Sequence, residues 1–192
     1  MKLLLTNPVS AIAKSKNPKR MQTTLEILLI SWAMISLSLL IITRNLPLQL
    51  RVGGALVVLA LGSALTLFYG FLLQMVMNNL GGKGHFYQGL TALTLAKFPL
   101  ALGFLLASIF LLVNIAGVIL ALIVLLVFVL NSISILYRSV KEFFGVDMVV
   151  AWIGIGALIL GTIVSIYILG IGAITANQDL FMNFMRFRML GY

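Results

Sequence analysis

Four stretches of the sequence, 27–43, 52–82, 98–137 and 148–178, contain no charged residue. A bilayer core is about 30 Å thick, and one helical crossing takes roughly 20 apolar residues. With 62% hydrophobic residues, 9% charged residues and a mean hydropathy of +1.18, the chain reads as a polytopic membrane protein with no room for a soluble domain. The constraint is severe, because a spanning backbone must satisfy its own polar groups as helix or closed barrel.

Length sets the number of crossings. The windows 27–43, 52–82 and 148–178 each suit one helix. A single helix over 98–137, at about 1.5 Å per residue, would run to about 60 Å, twice the membrane. It must fold back, and Asn114-Ile115-Ala116-Gly117 is where a polar side chain and a helix-weakening Gly meet near the middle. The expected fold class is all-α, a bundle of five transmembrane helices at 24–43, 52–79, 93–113, 116–138 and 148–172. Residues 1–23 form a basic cytoplasmic or interfacial arm, 24–172 the transmembrane domain, and 173–192 an extracytoplasmic or interfacial tail.

Sidedness follows from Lys and Arg. Five helices put Lys2, Lys14, Lys16, Lys19, Arg20, Lys83, Lys97, Arg138 and Lys141 on one side, against Arg44, Arg51, Arg186 and Arg188 on the other. Nine bases against four place the amino terminus in the cytoplasm and the carboxyl terminus outside. The net charge of +9 is spread over short flanking loops, so its expected partner is anionic lipid headgroups and not nucleic acid.

Catalytic chemistry finds little footing. Cysteine is absent and histidine occurs once, which removes thiol nucleophiles and argues against a metal cluster. No cofactor is expected, and no paired carboxylates or Ser/His/acid set marks an enzyme. The helices are read as free of Asp, Glu, Lys, Arg and His, which lowers the prospect of ion-coupled transport.

The amino-terminal arm lacks a signal-peptide h-region and cleavage site. Pro8 and Pro18 bracket a piece, Val9–Asn17, suited to a short helix on the headgroups, and Thr23-Thr24-Leu25-Glu26 reads as a capping box opening the first membrane helix. Gln74 and Asn78, four apart on one face, and Asn131 with Ser134 are expected to make interhelical hydrogen bonds. Gly154, Ala157, Gly161 and Ser165 form a small-residue stripe suited to close helix packing or a dimer seam.

Gly81-Gly82-Lys83-Gly84-His85-Phe86 is the most distinctive local motif. It is not a phosphate loop: Lys83 is followed by Gly84 and the upstream position is Met77, where a Walker sequence needs Ser or Thr and Gly. It reads as a tight cytoplasmic reversal, with Gly82 or Gly84 at positive φ, Lys83 toward the headgroups and Phe86 re-entering the interface. Lys83 and His85 are also the candidates for binding a partner.

With this loop in place the chain resembles the Yip family of membrane proteins, whose eukaryotic members interact with Rab GTPases in ER-to-Golgi traffic. The features in order are Asn7-Pro8 before the first helix, Gly81–Phe86 after the second and a short helix running to Ala96-Lys97-Phe98-Pro99. A tight hairpin and Phe144-Gly145-Val146 before the fifth helix follow. The resemblance implies five crossings with the amino terminus in the cytosol. The arm before residue 24 carries no Asp-Leu-Tyr-Gly-Pro type motif, which points to a prokaryotic member in the cell membrane; a eukaryotic one would sit in the ER or Golgi. The implied function is a non-enzymatic scaffold or adaptor that binds another membrane protein or a second copy. The alternative is an accessory or substrate-binding subunit of an ABC-type transporter.

Overall fold

The structure, a computed structural model, describes residues 21–113 and 115–176. These contain five α-helices and their connections, with no strand among the described residues: α1 (Met21–Ile42), α2 (Leu48–Asn79), α3 (Phe86–Phe110), α4 (Ile115–Phe144) and α5 (Met148–Ala176). Helices α1 to α4 are each long and apolar enough to cross a membrane, and α5 adds an apolar segment, Met148–Gly161. The expected arm helix at Val9–Asn17, Asn114 itself and the tail bases Arg186 and Arg188 lie outside the described residues. Two compact units divide the chain, one ending at Ile155 and the other, Gly156 onward, continuing α5.

Within the first unit α3 is the central helix, packed on α1, α2 and α4. Half of its apolar window is buried, against 17% for α4, so α4 turns most of its surface outward. Leu122, Leu126 and Leu130 on α4, and Leu56, Val57, Leu61, Leu65 and Phe68 on α2, are exposed. In water so large an apolar surface would be a liability; a hydrocarbon solvent accommodates it.

The window 98–137 does divide. Helix α3 stops at Phe110, Leu111–Val113 turn, and α4 begins at Ile115. Gly117 is buried where a Cβ would overlap the Phe110 carbonyl, which lets the hairpin close tightly.

Several boundaries differ from the expected ones, α4 for instance running on to Phe144, and three of the helix starts differ for a physical reason. The backbone is already helical at Met21, so Thr23 does not cap; Gln22 Nε2 donates to Glu26 Oε1 at 3.3 Å along the exposed face. Helix α2 begins directly after Pro47, earlier than residue 52, which carries Arg51 into its first turns. Most consequentially, the short helix before Pro99 and the third membrane helix are one. The Gln88 side chain accepts from the His85 backbone N–H at 2.9 Å and starts α3 at Phe86. Pro99 then sits inside it without ending it. Proline is tolerated within membrane helices where side chains and neighbouring helices re-satisfy the backbone. Ser132 of α4 donates to the Ala96 carbonyl at 2.7 Å, next to the Leu95 carbonyl that loses its i+4 donor to Pro99.

Glycines bring α2 and α3 into backbone contact. A Cβ on Gly70 would lie 3.0 Å from Leu90 Cα, and one on Gly89 would overlap the Gly70 carbonyl. Gly89→Ala should therefore lower stability by about 1–3 kcal/mol through overpacking. Gly53→Ala, where a methyl meets nothing within 4 Å, should hold or raise it. Chemical unfolding of the two variants in micelles checks the pair, and equal midpoints would refute the crossing.

Candidate functional site

The glycine motif folds by terminating α2. Gly82 N–H donates to the Met77 carbonyl at 2.9 Å and Gly81 N–H to the Asn78 carbonyl at 3.2 Å, with Gly81 at φ +90°. These are the two bonds of a Schellman cap, whose left-handed residue is usually Gly. Positive φ thus falls on Gly81, and not on Gly82 or Gly84. Those two are required for space. A Cβ on Gly82 would lie 2.9 Å from the Met77 carbonyl and 3.0 Å from Val146, and one on Gly84 would overlap the Phe144 ring.

Asn78 spans the loop, its Nδ2 donating to the Gly84 carbonyl and its Oδ1 accepting from the Gly84 N–H, both at 3.1 Å. It ties its own connection, where the sequence suggested a bond to a second helix, and Gln74 is half-buried one turn earlier. The α4–α5 connection locks against this loop. Lys83 N–H donates to the Phe144 carbonyl at 3.0 Å. Gly145, at φ +64°, returns a bond to the Lys141 carbonyl at 3.0 Å.

The two turns enclose an open cleft of about 410 Å³ lined by Gly81, Lys83, Gln88, Glu142, Phe143 and the backbone at Phe144 and Gly145. Lys83 and Glu142 are exposed, whereas Phe143 and Phe144 are buried. The cleft therefore offers one cation and one anion on a floor fixed by backbone bonds. His85 is exposed at the start of α3 and Phe86 is half-buried beside it; neither lines the cleft. Among the described residues no group of three or more His, Cys, Asp or Glu converges.

A second polar site lies inside the bundle, and it corrects the reading of helices without ionisable groups. Lys97, placed by sequence among the flanking bases, is near the middle of α3. Its Nζ donates to Thr66 Oγ1 of α2 at 2.7 Å and lies 4.2 Å from the Trp32 ring centroid of α1. Trp32 Nε1 donates to the same oxygen at 2.9 Å, and Thr66 passes its proton to the Gly62 carbonyl at 2.8 Å. Gly62 makes the room, since a Cβ there would overlap the Trp32 ring. One face of α3 continues this polarity toward the glycine loop through Thr94, buried with no hydrogen-bond partner, and Thr91, whose hydroxyl is 3.4 Å from that of Thr24.

The sequence did not single out Trp32, Thr66 or Ser132. A signal was present in the run Gln88, Thr91, Thr94, Lys97, polar residues three apart that wind round a mostly apolar helix. Ser134, by contrast, bonds back to the Leu130 carbonyl of its own helix at 2.9 Å. Of the small-residue stripe, Gly154 lies in the first unit, where a Cβ would overlap Met77 Sδ. Beside it Trp152 stacks on Tyr137 with centroids 5.3 Å apart. Ala157 and Gly161 are exposed, a Cβ on Gly161 meeting nothing within 4 Å, and Ser165 continues the same helix.

The chain matches no family model, and neither a curated protein nor a solved structure matches it.

The triple junction is testable through its shared acceptor. Thr66→Val strands two buried donors and should cost about 1–3 kcal/mol. Lys97→Met, an apolar side chain of similar length, should leave stability near wild type or raise it. Unfolding midpoints in micelles decide; a Lys97→Met loss as large as that of Thr66→Val would mean the cation itself holds the helices.

Proposed function

We propose that the chain is a non-enzymatic integral membrane adaptor of the Yip type that docks another membrane protein, or a second copy of itself, at the Lys83–Glu142 cleft. Five crossings with the amino terminus in the cytoplasm and the carboxyl terminus outside belong to this reading. With Lys97 removed from the loop bases, eight remain against four, and the positive-inside rule still favours the same orientation. The cleft then faces the cytoplasm of a prokaryotic cell membrane, among anionic headgroups.

The observation that carries the reading is the division of labour in Gly81–Phe86. Asn78, Gly81, Gly82 and Gly84 are consumed in building the loop, while Lys83 remains exposed on a rigid floor opposite Glu142. A preformed cleft with one charge of each sign suits a polar segment of a partner, because little ordering entropy remains to be lost on binding. The transporter-subunit alternative draws on a different observation. Lys97 is an ionisable group within a helix long enough to span, which is where substrate and ion pathways are marked.

A photo-crosslinking side chain at position 83 should capture a discrete partner in intact cells. Glu142→Lys should reduce capture at least about tenfold, as reversal of a contacting charge does, without moving the melting temperature. A reporter at Gly84 should be cytoplasmic and one after Tyr192 outside. Unchanged capture in Glu142→Lys, or both reporters on one side, would refute the adaptor geometry; a stable ATPase among the crosslinked products would favour the transporter subunit.

A further inference from the structure

At the end of α1 and α2 opposite the glycine loop, the two helices part over an apolar crevice of about 240 Å³. It is lined by Ala33, Ser36, Leu37, Leu40, Val52, Ala55, Leu56 and Leu59. Seven of these side chains are aliphatic, and Leu37, Val52 and Leu56 are exposed along its rim. Two polar groups break the pattern. Ser36 Oγ is buried with no hydrogen-bond partner. Arg51, next to the lining residue Val52, does not itself line the crevice but borders it, donating from Nη2 to the carbonyl of the lining residue Leu40 at 2.8 Å, and its Nε is buried with no partner.

A guanidinium held in this way calls for an anion, because a half-buried charge left without a counter-charge is costly. Among the described residues none is nearby: no Asp or Glu occurs between Glu26 and Glu142, and Asp147 directly precedes α5 beside the glycine loop. Glu26 begins α1 and Glu142 ends α4, both at the glycine-loop end. Guanidinium geometry matches phosphate in a two-pronged contact, and the adjoining crevice offers only apolar walls. Cationic head and aliphatic trough together have the chemistry of an anionic amphiphile.

We propose that this crevice is a binding site for an anionic phospholipid, with one acyl chain between α1 and α2 and the headgroup phosphate on Arg51. The Nη hydrogens of the half-buried Arg51 that Leu40 does not take supply the donors. Phosphate alone would leave the crevice unfilled. A neutral zwitterionic lipid would bring its own cation to a place where the protein already has one. The site is independent of the adaptor reading, lying at the other end of α2.

The test uses the full chain in maltoside micelles with phosphatidylglycerol or phosphatidylcholine of identical acyl chains, read by native mass spectrometry and by thermal shift. Wild type should retain one phosphatidylglycerol and melt higher in its presence, with no such response to phosphatidylcholine. Arg51→Gln should weaken retention by about tenfold, the factor carried by one charge-assisted hydrogen bond. Ala33→Phe fills the crevice from an exposed position, so it should abolish retention while the lipid-free melting temperature stays put. Equal retention of the two lipids, retention undiminished in Arg51→Gln, or retention surviving Ala33→Phe would overturn the site. So would a dimer that Ala33→Phe converts to monomer, since a second copy would then be the occupant.

Discussion

The hydroxyl of Thr66 receives hydrogen bonds from both Trp32 and Lys97, and through it α1, α2 and α3 meet at one oxygen. In a bilayer this kind of contact matters more than apolar area. Lipid tails are as apolar as leucine, so helices gain little by burying Leu against Leu, and close packing and polar bonds must hold them together. The structure concentrates both in α3. Gly70 and Gly89 let its backbone touch α2, Gly62 admits the Trp32 ring, and Ser132 bonds Ala96 from α4. A lysine at a helix centre costs about 2.5–3.5 kcal/mol on insertion scales. A charged hydrogen bond of about 1.5–3 kcal/mol and a desolvated cation–π contact of about 2 kcal/mol offset it. The lysine is thereby tolerated at little net cost, and it fixes which faces of three helices meet.

The order of the helices was legible because charge-free length is a coarse signal that the bilayer enforces. The turn near Asn114 followed from the same arithmetic: no helix of that length fits the hydrocarbon. Register was not legible, and the reason is local. The resemblance ended a short helix at Ala96-Lys97-Phe98-Pro99, and Lys97 was counted with the flanking bases at the start of an expected third helix, 93–113. Here α3 starts at Phe86 and runs through Pro99, with Ser132 of α4 bonded to the Ala96 carbonyl beside it, so Lys97 moves from the start of the helix to its middle. A single misplaced boundary changed an interfacial base into the most unusual residue of the bundle.

The glycine motif shows the complementary limit. Its role as a reversal was visible in composition, and so was the exposure of Lys83. Which glycine turns the chain was not, since Gly81, Gly82 and Gly84 are alike in sequence. The structure separates them by what each position demands: dihedral freedom at Gly81, absence of a Cβ at Gly82 and Gly84. Nor could sequence reveal the partner surface. Phe144 lies far along the chain, and only the fold sets its carbonyl on Lys83 and its ring on Gly84.

The distribution of charge unites these sites. Between Glu26 and Glu142 the chain has several cations and no acid, so an ion pair within that span is impossible. Three of the cations meet the constraint in three ways. Lys97 turns inward to an aromatic face and a hydroxyl, which partly replace water without a counter-ion. Lys83 remains at an aqueous rim, where hydration is available and Glu142 lies across a cleft. Arg51 has neither solution in full: one carbonyl satisfies one of its five donors, and its Nε is buried without a partner. Of the three, only Arg51 is left incomplete among the described residues, and a surrounding membrane is the nearest abundant source of an anion.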